Sequence, residues 1–363
     1  MRRVPDSRGD RLAEIVGEAG LDAAVVGDLV RPGDSSRDSI ADVTWLTGFA
    51  GTSGTVVIGP ETRVFITDFR YTTLAASIVP ESFRIVDAAA EIVKEIAGQL
   101  SGRVGIEPSK TSVETHGKLL GAVGEDVEIV TAENLVTDLR RVKDDAEIEA
   151  IAAAAALTDE VYAFVEERGL VGRSEREVAL TAEAKMRELG AEDPAFPTIV
   201  AAGPTGSQPH AVPGEHVITA GEYVTIDMGA IVDGYCSDCT RTLVEGEPDA
   251  GRKDVYDLVL AAQLAALEAI RAGADGREVD AISRGPIAEA GHAGNYGHGL
   301  GHGVGIEVHE PPRLSKRSED TLLAGDVVTV EPGVYVPGEF GIRIEDLVVV
   351  TEDGHRNLST RPK

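Results

Sequence analysis

Four acidic residues in the second half of the sequence stand in or beside apolar, strand-like runs. They are Asp227, Asp238, Glu331 and Glu345. A buried ionised carboxylate is costly unless it is paired or coordinates a metal ion. The basic residues nearby are chiefly Arg241 and Arg343, which leaves a surplus of negative charge. Two divalent cations would neutralise the four acids directly. The alternative interpretation is exposed acids, or ion pairs with these arginines.

Histidines cluster in the same region of the chain. Of the eight histidines, four lie within one short stretch: His292, His298, His302 and His309. The surrounding segment is rich in glycine, so its backbone can approach a site closely. A phosphate-binding loop is disfavoured because no Gly-Lys-Ser/Thr follows. His302 is therefore the leading candidate for a metal-ligating imidazole, whereas His292 is expected to be an ordinary polar residue.

An internal repeat relates the acids to one another. Residues 220–229 (AGEYVTIDMG) and 324–333 (AGDVVTVEPG) are identical at five of ten positions and conservative at three more. The repeat aligns Asp227 with Glu331, and Asp238 with Glu345. Each copy is predicted to continue as a strand hairpin and to follow a pair of helices. The predicted hairpins are 234–244 and 341–350, and the predicted helices are 146–168, 174–189, 255–272 and 279–290. We therefore predict a pseudo-two-fold domain with a cleft on its axis.

The first part of the chain has a different pattern of predicted elements. Alternating helical and strand-like segments predict a small α/β domain. The predicted helices are 8–19 and 88–100, and the predicted strands are 21–26, 55–58, 64–67 and 104–106. We place the domain boundary so that residues 1–138 form an N-terminal domain and residues 139–363 form the catalytic domain.

Composition excludes several classes of protein. The formal charge of −28 argues against a nucleic-acid partner, since phosphate binding requires a basic surface. No apolar run approaches the ~20 residues of a membrane helix, and the first residues lack the apolar core of a signal peptide. We therefore expect a cytoplasmic protein without a membrane partner. Cys236 and Cys239 lack a second ligand pair for zinc and are expected to be packed, reduced thiols on opposite faces of a strand.

The series Asp227, Asp238, His302, Glu331 and Glu345 resembles the metal site of the pita-bread metallopeptidases. Within them it is closest to the Xaa-Pro dipeptidases (prolidases) and the Xaa-Pro aminopeptidases. Local matches are Gly234-Tyr-Cys-Ser-Asp-Cys-Thr-Arg-Thr242, His302-Gly-Val-Gly-Ile-Glu-Val-His-Glu310, Glu331-Pro-Gly-Val-Tyr335 and Gly341-Ile-Arg-Ile-Glu-Asp346. Trp45-Leu-Thr-Gly-Phe49 and Thr67-Asp-Phe-Arg-Tyr71 extend the resemblance to the N-terminal domain. It implies an α/β (α+β) protein with a creatinase-like N-terminal domain and a pita-bread catalytic domain.

The resemblance also implies a dinuclear metal site. Asp238 and Glu345 would bridge two divalent ions, Asp227 would hold one of them, and His302 with Glu331 would hold the other. A carboxylate-rich site with one imidazole suits Mn, with Co, Zn or Fe as alternatives. A hydroxide shared by the ions would attack the peptide bond, with Glu331 as the proton shuttle.

Further residues are assigned to the substrate by the same resemblance. His210 and His309 are candidates for contacting the scissile carbonyl or its oxyanion. His298 is expected to line the proline pocket, and Tyr335 is a further candidate substrate-binding residue. Arg313 stands where prolidase-like members bind the substrate's C-terminal carboxylate, the alternative being an exposed loop arginine. Arg343 would steady the site electrostatically or act as a structural ion-pair partner.

The expected substrates are peptides with proline at the second position, with a slight preference for dipeptides over longer peptides. An Xaa-Pro aminopeptidase is the main alternative. A catalytically inert binding module on the same fold, or a metallohydrolase or lyase with a non-peptide substrate, is more remote, because all five ligands are present. The resemblance also implies a homodimer.

Overall fold

A computed structural model describes residues 4–88 and 91–363 of the chain. The chain divides into two compact units, one ending at Arg140 and the other beginning at Arg141. Within the described residues, no helix combines the length and the apolar character needed to cross a lipid bilayer. Residues 89 and 90 of the predicted helix 88–100 lie outside the described residues.

The first unit is a six-stranded sheet with helices. Its helices are α1 (Ser7–Glu18), α2 (Ala41–Thr47), α3 (Thr72–Ile78), α4 (Ile92–Ala97), α5 (Val113–Ala122) and α6 (Thr137–Arg141), and its strands are β1 (Ala23–Gly27), β2 (Thr55–Gly59), β3 (Thr62–Thr67), β4 (Arg84–Asp87), β5 (Gly102–Ile106) and β6 (Val127–Thr131). The strand order is β4-β3-β2-β1-β5-β6. The strands β1 and β2 are buried along their whole length, as their unbroken apolar runs predict. The predicted α/β character of this part is confirmed.

The second unit contains two helix pairs and the remaining strands. Its helices are α7 (Asp145–Arg168), α8 (Glu175–Glu188), α9 (Ala250–Leu267) and α10 (Gly276–Ile287), and its strands are β7 (Ile199–Ala202), β8 (Tyr223–Met228), β9 (Ile231–Val232), β10 (Tyr235–Cys236), β11 (Cys239–Val244), β12 (Gly301–Gly303), β13 (Glu310–Leu314), β14 (Val327–Val330), β15 (Gly333–Val336), β16 (Phe340–Arg343), β17 (Asp346–Val350) and β18 (His355–Asn357). The four predicted helices are all present, with shifts of a few residues at their ends.

Capping boxes fix the starts of the first helix pair. Asp144 exchanges hydrogen bonds with Glu147 at the start of α7, and Ser174 does the same with Glu177 at the start of α8. These reciprocal bonds satisfy backbone N–H groups that a helix cannot satisfy internally. The helix ends are thereby set by local sequence.

The strands confirm the repeat, and each half contains an additional short hairpin. In the first half β8 pairs with β11, and the short hairpin β9–β10 lies between them in sequence. In the second half β14 pairs with β17, and the hairpin β15–β16 lies between them. The sequence predicts one hairpin per copy, whereas each copy contains one hairpin nested inside another. A turn that ends at Gly234 forms the inner hairpin of the first half, and a turn that follows Val336 forms that of the second half. Both turns lie outside the ten-residue repeat, so the repeat does not predict them.

Candidate metal centre

The repeat places its four acids at equivalent positions in the two halves. Asp227 lies in β8 and Glu331 directly follows β14, whereas Asp238 and Glu345 directly precede β11 and β17. The two halves meet here, because the Glu345 amide donates a hydrogen bond of 3.1 Å to the carbonyl oxygen of Thr240 in β11. The pseudo-two-fold arrangement therefore brings both acid pairs to the seam between the halves.

An imidazole completes the cluster. Ligand atoms of Asp238, His302 and Glu345 all lie within 4.8 Å of one another, and all three residues are buried. The Nε2 atom of His302 lies 3.3 Å from Oε1 of Glu331 and 3.7 Å from Oδ2 of Asp238. Four of the five predicted ligands thus stand around one point.

The backbone around His302 determines its orientation and its tautomer. His302 Nδ1 lies 3.1 Å from the carbonyl oxygen of Gly303, which can only accept, so Nδ1 donates to it and Nε2 is the nitrogen that faces the acids. A Cβ atom on Gly301 would lie 2.0 Å from the Thr329 oxygen, and one on Gly303 would lie 2.1 Å from the Pro311 oxygen. Glycine on both sides of His302 is therefore required for this strand to lie between its neighbours.

The electrostatics of the cluster show excess negative charge. Burial, and then the neighbouring acids, raise the pKa of Asp238 and of Glu345 well above the usual range. Burial also raises the pKa of Asp227 despite its contact with Arg343. Glu331 is the exception: burial raises its pKa, but the hydrogen bond and charge of His302, with His298 and Arg343, outweigh burial and hold it at about 2.

Divalent cations fit this residue set. The Oδ1 atom of Asp227 is buried and has no hydrogen-bond partner among the described residues, as expected of an oxygen reserved for a ligand. Carboxylates that destabilise one another's charge, beside an imidazole whose Nε2 faces them, are the donor set of a hard divalent ion. Asp227, Asp238, His302, Glu331 and Glu345 would hold it.

Arg343 connects the acids to their surroundings. Its Nη2 atom donates to Asp227 Oδ2 at 2.7 Å, and its Nε atom donates to the Thr240 hydroxyl at 2.9 Å. That hydroxyl donates to Glu345 Oε2 at 2.8 Å. In the structure β16 ends at Arg343, so it contacts the acid of the other half directly and reaches Glu345 through Thr240.

The same arginine orders a histidine. Arg343 Nη1 donates to the Tyr335 hydroxyl at 2.7 Å, and that hydroxyl lies 2.9 Å from Nε2 of His298. His298 Nδ1 donates to the Gly299 carbonyl at 2.7 Å. The Tyr335 proton must therefore point to His298 Nε2, which fixes the neutral tautomer of His298. Burial lowers the pKa of His298 and raises that of Tyr335 to about 12.

The cluster lines a cavity of ≈ 510 Å³. All eleven residues assigned to the site by sequence line it: His210, Asp227, Asp238, His298, His302, His309, Arg313, Glu331, Tyr335, Arg343 and Glu345. The His309 ring packs on that of His302, with ring centroids 4.3 Å apart. Burial, followed by the charges of His302 and Arg313, lowers the pKa of His309 to about 4, so His309 is neutral above that pH.

Sequence reasoning missed part of the cavity wall. An apolar portion is formed by Phe196, Pro197, Ile199, Ala211, Val212 and Pro213. Of these, Ile199 lies opposite Asp227 in the β7–β8 ladder, so that register could have indicated it. Phe196, Pro197 and Val212 lie in loops without a local pattern. Thr240 was also missed, although it stands two residues after Asp238.

The two cysteines are both reduced and buried. Cys236 ends β10 and Cys239 begins β11, so they belong to two short strands rather than to opposite faces of a single one. Cys236 donates to the Ile306 carbonyl, and burial raises the pKa of Cys239. The prediction of packed thiols is confirmed.

Comparison with known proteins agrees with this fold. Residues 149–352 match the model of metallopeptidase family M24, and residues 8–142 match that of the creatinase/prolidase N-terminal domain. The chain belongs to metallopeptidase family M24. It is 37% identical to the uncharacterized peptidase YqhT of Bacillus subtilis over 98% of both chains.

Two solved structures are similar over nearly their whole length. The Xaa-Pro dipeptidase from Bacillus anthracis is 37% identical, with a TM-score of 0.91 and 98% of each chain covered. The X-Pro aminopeptidase from Thermotoga maritima is 34% identical, with a TM-score of 0.87 and the same coverage. The predicted fold, a creatinase-like N-terminal domain followed by a pita-bread catalytic domain, is confirmed.

Proposed function

We propose that the chain is an Xaa-Pro peptidase that prefers dipeptides. The observation that carries the proposal is the position of Arg313 on the exposed rim of the cavity that holds the acid cluster. Its side chain makes no hydrogen bond or ion pair within residues 4–88 and 91–363. An available guanidinium suits the free carboxylate of a dipeptide, to which it can donate two parallel hydrogen bonds.

The remaining residues provide the reaction steps. Two divalent ions at the cluster would neutralise the acids, lower the pKa of a water molecule and polarise the scissile carbonyl. Glu331, held at its Oε1 by the Thr329 hydroxyl, would accept the proton of the attacking water and deliver it to the proline ring nitrogen. Neutral His309, together with His210, would donate N–H groups to the developing oxyanion.

The proline ring would lie against His298. Because Tyr335 and Gly299 occupy both ring nitrogens of His298, this residue is held in place and presents a neutral face rather than a charge. Arg343 holds both Tyr335 and Asp227. It would therefore align the proline pocket with the acids.

Several finer assignments belong to the same proposal. We infer Mn as the native ion because the donor set is rich in oxygen, with Co, Zn or Fe as alternatives. We further infer a homodimer, a cytoplasmic location and a domain boundary between residues 138 and 139. Family membership supports the homodimer and the cytoplasmic location, and the division of the chain into two units near residue 140 supports the boundary.

The second candidate function is that of an Xaa-Pro aminopeptidase. The similar structure from Thermotoga maritima carries that description, and the exposed position of His210 and Val212 leaves the cavity open for a longer peptide. An inert binding module is disfavoured by the complete ligand set, and a non-peptide substrate by the presence of His210, His309 and Arg313 together.

The decisive experiment compares two substrates on metal-restored enzyme. The protein is stripped with a chelator, reloaded with Mn, Co or Zn, and assayed on an Xaa-Pro dipeptide and an Xaa-Pro-Yaa tripeptide. We expect cleavage mainly of the dipeptide. Arg313→Ala should raise KM for the dipeptide by roughly 10–100-fold, since a charge-assisted pair is lost. Arg317→Ala, an exposed arginine of the same segment that does not line the cavity, is the matched control.

The outcomes separate the two functions. Preferred cleavage of the tripeptide, with Arg313→Ala as active as Arg317→Ala, would establish the aminopeptidase and remove the role of Arg313. Absence of cleavage of both peptides by a metal-loaded protein would overturn the substrate assignment altogether.

A further inference from the structure

One loop of the catalytic unit supplies a continuous part of the cavity wall. The loop runs from residue 203 to residue 213, between β7 and the segment that leads to β8. Its five successive residues 209–213 all line the cavity, and His210 is one of them. No other segment of the described chain contributes five consecutive residues to the wall. The position of this loop therefore determines the shape of one side of the cavity.

Residues 203–207 of the loop pack against β7, β8 and β16, but the cavity-lining part, residues 209–213, has little packing of its own. His210 is exposed and Val212 retains 84% of its surface, whereas Ala211 is buried in a small cluster with Ile199 and Ala201. A segment with few buried apolar contacts opens at low free energy unless polar contacts restrain it. The location of those restraints is thus decisive for His210.

A buried carboxylate closes the base of the loop. Glu175 is fully buried, and its Oε1 accepts the amide hydrogen of Ala202 at 2.9 Å. Its Oε2 accepts the amide hydrogen of Gly214, also at 2.9 Å. Ala202 and Gly214 directly flank the loop, so one side chain binds both of its ends.

Helix α8 holds this carboxylate in place. Glu175 is the first residue of α8, where the helix dipole favours a negative charge. The amides of Glu175 and Arg176 donate to the carbonyls of His216 and Gly214. The start of the helix and the end of the loop are thereby joined through both backbone and side chain.

We propose that Glu175 is a positioning residue for substrate binding, which acts by holding loop 203–213 so that His210 and the apolar rim face the cavity. The proposal rests on the proposed function, in which His210 contacts the substrate. Glu175 itself does not line the cavity. Two weaker ties to the loop, from Arg343 to the Pro209 carbonyl and from the Gly338 amide to the Ser207 hydroxyl, each measure 3.2 Å and lie within it rather than at its base.

The chain offers a matched control two residues away. Glu177 also lies in the first turn of α8, and its carboxylate accepts the Ser174 amide at 2.9 Å. Glu177→Gln therefore weakens the same helix terminus without contacting the loop. Glu175→Gln places an amide NH₂ against a backbone N–H, so one of the two loop contacts is lost and replaced by repulsion.

The experiment has one arm that needs substrate and one that does not. In the metal-loaded enzyme we expect Glu175→Gln to raise KM for the Xaa-Pro substrate by roughly tenfold, since a buried donor loses its acceptor. Metal content should remain that of the wild type. The KM should be insensitive to a further His210→Ala change, because the loop is already displaced.

Hydrogen exchange of peptides spanning 202–214 should accelerate, while exchange of peptides carrying the metal ligands should not change.

Glu177→Gln should lower the melting temperature but leave both KM and exchange of the loop at wild-type values. If Glu175→Gln does not fold, Glu175→Asp, which retracts the same charge by one methylene, provides the same readouts. Unchanged KM in a Glu175 variant, or additive effects with His210→Ala, would overturn the proposal. The hydrogen-exchange measurement needs no substrate. Unchanged hydrogen exchange of the loop would therefore overturn this proposal even in a protein that cleaves no proline peptide. Failure of this proposal and failure of the proposed function are thus distinguishable.

Discussion

Two regions of this molecule bury carboxylates, and they treat the charge in opposite ways. In the N-terminal unit, buried Asp42 faces two cations, Arg140 at 2.6 Å and Lys110 at 2.8 Å. Burial raises the pKa of Asp42, but the two cations more than offset this and lower it below its usual value. At the metal centre four acids share one directly bonded cation, Arg343, and the pKa values of Asp238 and Glu345 rise.

The charge around a buried acid distinguishes a structural acid from a ligand. Both kinds of acid are buried, so burial alone does not separate them. Asp42 and Asp346 are surrounded by protein cations, which for Asp346 are Arg241 and Lys363. The carboxylates of Asp238 and Glu345 lack that compensation, and the missing positive charge is the requirement that a divalent ion meets.

Removal of one ligand acid should have the largest effect. We expect Glu345→Gln to lose bound metal and at least about a thousandfold in kcat/KM, because the ions provide several kcal/mol of transition-state stabilisation. In the metal-free state the same variant should melt at a higher temperature than the wild type, since one of the mutually repelling charges is gone. Metal analysis and calorimetry with and without chelator test this.

Glu339→Gln, an exposed acid of the same region, is the control and should change neither quantity. A metal-free Glu345→Gln protein that melts below the metal-free wild type would contradict the view that the cluster carries uncompensated charge.

Removal of the compensated acid should instead affect stability. Asp42→Asn should destabilise the protein by about 3 kcal/mol, because two cations lose their buried partner. Metal content and activity per bound metal should remain at wild-type values. Urea denaturation measures the loss of unfolding free energy. A change below about 1 kcal/mol would show that the contacts of Asp42 with its two cations contribute little to stability.

A smaller effect is expected at Arg343, the cation that the metal centre does possess. Lysine cannot bond Asp227, Thr240 and Tyr335 at once, so Arg343→Lys should reduce kcat/KM by roughly 10–100-fold. Arg241→Lys, at the other buried arginine near the seam, should mainly lower the melting temperature. Equal losses of activity in the two variants would contradict this division of roles.

The smallest effect concerns pH. Because the pKa of folded Asp42 is depressed, its contribution to stability is fully present above the unfolded value of about 3.9 and is lost as pH falls through the folded pKa. The difference in unfolding free energy between wild type and Asp42→Asn should therefore shrink as pH falls below about 4. A difference that grows toward acid pH would reverse the assigned sign.

The sequence indicated the four acids of the cluster because the repeat is local. Asp227 and Glu331 occupy the same place in two ten-residue copies, and their apolar neighbours already imply burial. The helices of the catalytic unit were equally predictable, since a capping box such as Asp144 with Glu147 spans only four consecutive residues. The chemical class of the protein follows from these local signals.

Contacts between distant segments could not be predicted in this way. Glu175 looks like any acid in a first helical turn, and only the folded chain brings its carboxylate to the amides of Ala202 and Gly214. The nested hairpins were missed for a related reason, because the repeat was read from its first strand alone. Pairing partners far apart in sequence leave no periodic pattern along it.

The seam between the two halves has a kinetic consequence. Asp238 comes from the first half, whereas His302 and Glu345 come from the second, and their ligand atoms lie within 4.8 Å of one another. An ion held by all three would join the two halves, so the opening rate of the seam should fall when the ion is bound. Hydrogen exchange of the strands at the seam, followed with and without a chelator, measures that change without denaturant, heat or substrate.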